Sequence, residues 1–155
     1  MEGAKAPDFS LPTDQGGVIN LGQFKGKIVI LYFYPKDDTA GCTKEAIEFS
    51  NSISAFAKID AVVIGVSKDS VQRHLKFREK HNLTVLLASD ETGETIADYG
   101  SWVEKTLYGR KYMGIDRSTF LIDKTGKIRR IWRKVRVPGH VEEVLSAASG
   151  LSSKH

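Results

Sequence analysis

The chain has 155 residues, 41% of them hydrophobic and 27% charged, with a single cysteine. A chain of this size can bury a self-supporting core, so we expect one domain over residues 1–155. One cysteine excludes a disulfide within the chain, and no apolar run reaches the roughly 18 residues needed to cross a membrane.

The opening Met1-Glu2-Gly3-Ala4-Lys5 lacks the basic-then-apolar pattern of a secretory leader, and a cytoplasmic setting is expected. Ala6-Pro7-Asp8-Phe9-Ser10-Leu11-Pro12 should be extended, because each proline biases its predecessor away from helix. Asp14-Gln15-Gly16-Gly17 predicts a hairpin turn between short strands. Residues 28–34 are continuously apolar and partly β-branched, which predicts a central strand buried on both faces. From Cys42 onward Ala46, Phe49, Ile53, Phe56 and Ala57 recur at helical spacing. Residues 61–67 predict a second buried strand. Residues 69–81 predict an amphipathic helix, with Val71, Leu75 and Arg78 on its mixed face and His74 and His81 toward solvent. A short strand at 85–88 and a helix at 92–99 follow. Residues 118–123, a turn at 124–127 and residues 128–132 predict an antiparallel hairpin. A helix at 141–148 closes the chain.

Strands alternating with helices and ending in a hairpin imply an α/β fold. Its mixed central sheet should be flanked by helices, parallel in the middle and antiparallel at one edge, with an N-terminal hairpin extension. The crossover from 28–34 to 61–67 should be right-handed. Sites in such sheets form at the carboxyl ends of strands, and Cys42 lies there.

A free cysteine is ordinarily a small buried hydrophobe. Cys42 instead stands in Tyr34-Pro35-Lys36-Asp37-Asp38-Thr39-Ala40-Gly41-Cys42-Thr43, in the first turn of a helix. Backbone N–H groups and the helix dipole favour a thiolate over a thiol in such a position. Gly41 permits close approach, Thr39 offers a hydroxyl three residues upstream, and Pro35 restricts the loop. On the residues alone, Thr39 also fits a helix cap, Pro35 a strand end, Glu45 a favourable first-turn charge and Arg117 a surface residue at a strand start.

Pro35-x-x-x-Thr39-x-x-Cys42 resembles the peroxiredoxin active-site motif. The longer stretch from Phe33 to Ala46 resembles the bacterioferritin-comigratory, or Q-type, branch, as do Pro7-Asp8-Phe9 and Arg117-Ser118-Thr119-Phe120-Leu121-Ile122-Asp123. The resemblance spans residues 4–146 and implies a thioredoxin-like fold that reduces hydrogen peroxide and organic hydroperoxides. It implies that Cys42 is the peroxidatic nucleophile and that Thr39 hydrogen-bonds the thiolate and the peroxide. Arg117 would hold the thiolate and stabilise charge on the peroxide oxygens, with Pro35 shielding the pocket and Glu45 orienting Arg117. No cofactor and no metal are expected: the aromatic positions mostly fit core faces, and His74, His81, His140 and His155 are too scattered for a metal site. A monomer or weak homodimer is expected.

Two departures from the branch matter. Ile47 stands where many members place a resolving cysteine, and Ala40 replaces the proline common before Gly-Cys. With one cysteine the sulfenic acid must be resolved by an external thiol, such as glutathione, glutaredoxin or thioredoxin. The missing C-x-x-C excludes a dithiol oxidoreductase. The alternative is a holdase or interaction protein on the same fold, binding nucleic acid through the basic hairpin at 124–136. Net charge is only +4, and the apolar residues at 128, 131 and 135 suit a strand with solvated charges. Nucleic-acid binding is therefore not expected.

Overall fold

In the computed structural model, which describes residues 2–152, Ser10–Pro12 (β1) and Val18–Asn20 (β2) pair antiparallel as the expected N-terminal hairpin. Asn20 then caps a 3-10 turn at Leu21–Phe24, exchanging hydrogen bonds with Gln23. The remaining elements are Ile28–Phe33 (β3), Ala40–Asn51 (α1), Ile53–Lys58 (α2), Ala61–Ser67 (β4), Val71–His81 (α3) and Leu86–Ser89 (β5). After them come Glu94–Asp98 (α4), Trp102–Leu107 (β6), Arg110–Ile115 (β7), Ser118–Ile122 (β8), Ile128–Trp132 (β9) and His140–Ser152 (α5).

The five-stranded sheet has the order β5-β4-β3-β8-β9. β3 pairs parallel with β4 and antiparallel with β8, so the mixed sheet changes direction at its centre. Every residue of β3 is buried, as its unbroken apolar run requires. Ile28, Ile30 and Tyr32 share one core with Phe49 of α1, Phe56 of α2 and Val144 of α5. The alternate residues Val29, Leu31 and Phe33 join Leu11, Ile19 and Ile96 in the other core. Period-two alternation thus feeds two cores from one strand.

Gly65 on β4 lies opposite Tyr32 in the β3–β4 register. A Cβ there would stand 2.6 Å from Tyr32 Cζ. Tyr32 has nowhere to go, because it is fully buried and stacked on Phe49 with ring centroids 4.6 Å apart. Gly65→Ala should therefore cost about 2–3 kcal/mol of stability by overpacking. In a thermal melt this should lower Tm by roughly 4–12 °C. An unchanged Tm would show that the sheet yields at this point.

Several predicted elements shift. The helical run from Cys42 is two helices broken at Ser52, whose N–H is shared between Glu48 O and Phe49 O, and Ala57 is exposed. α3 starts at Val71, with the Ser70 hydroxyl capping Arg73 N–H. Its buried face is His74 and Phe77, whereas Leu75 is 40% exposed. The placing of His74 toward solvent is thus corrected: hydrogen bonds satisfy this polar ring, so burial is tolerated. β5 lies one residue later than expected, α4 is a single turn, and α5 begins one residue earlier and runs four residues further.

The β6–β7 hairpin was not predicted. Its two-residue turn, Tyr108-Gly109, has φ of 52° and 78°, the left-handed pair that a tight hairpin turn needs. Its strands are largely exposed, with only Ile115 buried. No clean alternation therefore marks them in the sequence.

Candidate active site

Cys42 is the third residue of α1 and only 1% exposed. It reaches this place because β3 ends beneath the loop 34–39 and α1 begins at once. The first helical turn thus stands over the carboxyl edge of the sheet. Arg117 lies between β7 and β8, its carbonyl held by the N–H of Val135 at 2.9 Å. From there its guanidinium bridges two residues one turn apart on α1. Nη2 donates to Cys42 Sγ at 3.3 Å, and Nη1 donates to Glu45 Oε1 at 2.8 Å. Gly41 makes room for this, since a Cβ there would meet Arg117 Nη2 at 3.0 Å. The close approach expected at Gly41 is made by the arginine.

The electrostatics of the triad are unequal. Burial opposes the charge on Arg117, but Cys42 and Glu45 more than offset it, so the guanidinium is held even more firmly charged than usual. Burial pushes Glu45 up to about 7 although Arg117 pulls it down, and Glu48 adds a smaller upward push. Among the described residues Glu45 Oε2, Glu48 Oε2 and Tyr32 Oη are buried without a hydrogen-bond partner. Such a site tolerates an anion on sulfur best while Arg117 is in place.

The structure brings Arg117 into direct contact with both Cys42 and Glu45. Thr39 occupies the helix N-cap position but makes no side-chain capping bond. Its hydroxyl donates to Lys36 O at 3.0 Å. The proton expected for the thiolate is thus committed to the loop, and the oxygen lone pairs face other uses. Thr39 and Pro35 are both exposed.

A buried polar network behind the loop escaped the sequence reading. Tyr34 Oη donates to Asp37 Oδ1 at 2.5 Å, and Asp37 N–H donates to Asp69 Oδ2 at 2.7 Å. His74 Nδ1 lies 2.6 Å from Asp37 Oδ2. Asp38, at φ 63°, pairs with Lys80 Nζ at 2.8 Å and His81 Nε2 at 2.9 Å. The signal available was the Asp37-Asp38 pair inside the motif, together with histidines seven residues apart on one helix.

Part of the basic hairpin's charge is engaged within the chain. Arg130 pairs with Glu143 at 2.9 Å, and Arg133 donates to Gly100 O at 3.2 Å. Trp132 lies under Arg130, 4.6 Å from its ring centroid, and edge-on to His140. Among the described residues no helix is long and apolar enough to cross a membrane, and no group of three or more His, Cys, Asp or Glu is placed to hold a metal ion.

Residues 3–131 match the AhpC/TSA family. Over 152 residues the chain is 50% identical to peroxiredoxin Bcp of Bacillus subtilis, covering 98% of this chain and 97% of that one. It is 53% identical over 143 residues to a putative peroxiredoxin bcp of Coxiella burnetii, covering 92% and 95%. Among solved structures, the bacterioferritin comigratory protein of Xanthomonas campestris, described for its alkyl peroxide reduction activity, superposes with a TM-score of 0.92 at 35% identity. That match covers 98% of this chain and 99% of that one. The fold is the thioredoxin-like one that the motif implied.

Proposed function

The chain belongs to the AhpC/TSA family, as a thiol-dependent peroxidase of the peroxiredoxin type, and we propose that Cys42 is the sulfur that attacks the peroxide. The observation that carries this reading is the bridge of Arg117 between Cys42 and Glu45. The Cys42 thiolate attacks one peroxide oxygen. An S–O bond forms, the O–O bond breaks, sulfur is oxidised by two electrons, and the departing oxygen leaves as alkoxide or hydroxide and takes a proton. Arg117 holds the thiolate and meets the charge that develops on the oxygens, the kind of preorganised contribution that dominates many active sites. Glu45 orients Arg117. Thr39 accepts a hydrogen bond from the bound peroxide, its own proton being engaged with Lys36 O, and Pro35 shields the mouth.

Resolution falls to an external thiol. That thiol attacks Cys42–SOH, releasing water and leaving a mixed disulfide; a second thiol then frees the Cys42 thiol and carries off a disulfide. The chain's single cysteine supports this one-cysteine cycle. Thioredoxin, glutaredoxin and glutathione are the candidate reductants, and alkyl hydroperoxides and hydrogen peroxide the candidate substrates. We take residues 1–155 as one domain acting in the cytoplasm as a monomer or weak homodimer.

One peroxide equivalent added to the reduced protein tests the cycle. Intact mass should rise by one oxygen, located at Cys42, and dimedone should trap it as a sulfenic acid. Turnover should then resume with one of the three thiol systems compared side by side. A covalent dimer through Cys42 would overturn external resolution.

A further inference from the structure

We propose that His74 is a positioning residue for the peroxidase reaction, its doubly protonated ring holding Asp37 and with it the loop 35–39; this rests on Cys42 and that loop forming the peroxide site. His74 is fully buried, with Nδ1 2.6 Å from Asp37 Oδ2 and Nε2 2.9 Å from the carbonyl of Ala88 on β5. A backbone carbonyl only accepts, and Asp37 already accepts from Tyr34 at its other oxygen. A neutral imidazole has one donor nitrogen and serves one acceptor, whereas an imidazolium serves both. The ring is therefore a cation facing a carboxylate.

The other groups facing it agree. Asp69, on the segment before α3, adds a second negative charge, itself 3.8 Å from Arg73. Tyr34 Oη lies 3.4 Å from Nδ1 and donates to Asp37. Phe77 and His81, on the same helix, pack against each other edge-on. Burial works against the ring's charge, but Asp37, the Ala88 carbonyl and Asp69 outweigh it and hold His74 above its ordinary value. With the folded value raised, this stabilisation is complete below a pH of about 6.5 and is lost as pH rises through the folded value.

Asp37 sits midway between Pro35 and Thr39. Its N–H is held by Asp69 and its carboxylate by Tyr34 and His74. The neighbouring Lys36 carbonyl, which takes the Thr39 proton, has little freedom to move. Asp38 forms a second, exposed anchor to Lys80 and His81, so α3 grips two successive carboxylates of the loop. Losing the ring's charge strands Asp37 in the interior and moves the loop that presents Thr39 to the peroxide.

Nitrogen NMR of the histidine rings tests the charge directly and needs no variant. At pH 7 both nitrogens of His74 should be protonated; one bare nitrogen would overturn the proposal. Stopped-flow measurement of Cys42 oxidation by hydrogen peroxide tests the positioning. His74→Gln and Asp37→Asn should each slow it roughly tenfold to hundredfold, the effect of misplacing a reacting partner by about 1 Å. The double variant should be no slower than either single one, since the two residues act as a unit. A folded His74→Gln protein that reacts at the wild-type rate, even with a lowered Tm, would overturn it. Failure of the Cys42 reading looks different: Cys42→Ser would still consume peroxide, whatever the state of the His74 ring.

Discussion

Cys42→Ser should reduce peroxide turnover by roughly 10⁴-fold or more, the scale of loss when the nucleophile of a covalent mechanism is removed. The substitution is close to isosteric, and Cys42 lies in the helical-side core at 1% exposure, so the fold should survive it. What it removes is the polarisable sulfur that Arg117 faces. A serine hydroxyl stays protonated at neutral pH, and Arg117 would then donate to a neutral oxygen. Peroxide consumption with dithiothreitol as reductant is the measurement. Full activity in the serine variant would end the proposal that Cys42 is the nucleophile. Suppression of client aggregation measured on the same variant addresses a holdase role, which would persist with serine in place.

Arg117→Met should slow Cys42 oxidation about 10²–10³-fold while leaving the protein folded, as expected for loss of one preorganised donor. The methionine keeps most of the aliphatic volume and deletes both bridging hydrogen bonds, at 2.8 and 3.3 Å. Folding should tolerate this because of Glu45. Burial already holds that carboxyl near 7, and Arg117 is what pulls it down. Without Arg117 the carboxyl rises further and is neutral at pH 7, so no bare charge is stranded. Arg117→Lys should recover only part of the rate, since one ammonium cannot span the two contacts as a planar fork does. Stopped-flow rates across a range of peroxide concentrations check both variants. A wild-type rate in Arg117→Met would show that the helix N-terminus alone activates the sulfur.

Legibility followed burial. Residues 28–33 and 61–67 read directly as strands because each is apolar enough to be buried wherever it goes. The hairpin at 118–132 was visible because Lys124 to Lys127 interrupts two β-rich runs. The β6–β7 hairpin was invisible for the converse reason: it is largely exposed, so packing imposed no pattern on its side chains. The break at Ser52 was missed because helical spacing continues across it into Phe56.

The sequence by itself determined the α/β order of elements, the place of Cys42 at a strand-to-helix junction, and the solitude of that sulfur. Those are local or countable properties, set by apolar spacing, the Gly41-Cys42 step and the single cysteine. The motif resemblance names Arg117 as the partner of the sulfur, but only the tertiary structure sets the geometry of that contact and supplies what grips the loop. Arg117 lies 75 residues from Cys42 and His74 lies 37 from Asp37. Their meeting depends on the β3–β8 pairing and on α3 packing behind the loop, which no local spacing encodes. The burial that raises Glu45 to about 7, and the Asp37 and Ala88 acceptors that raise His74 against its own burial, arise only once those elements close around them.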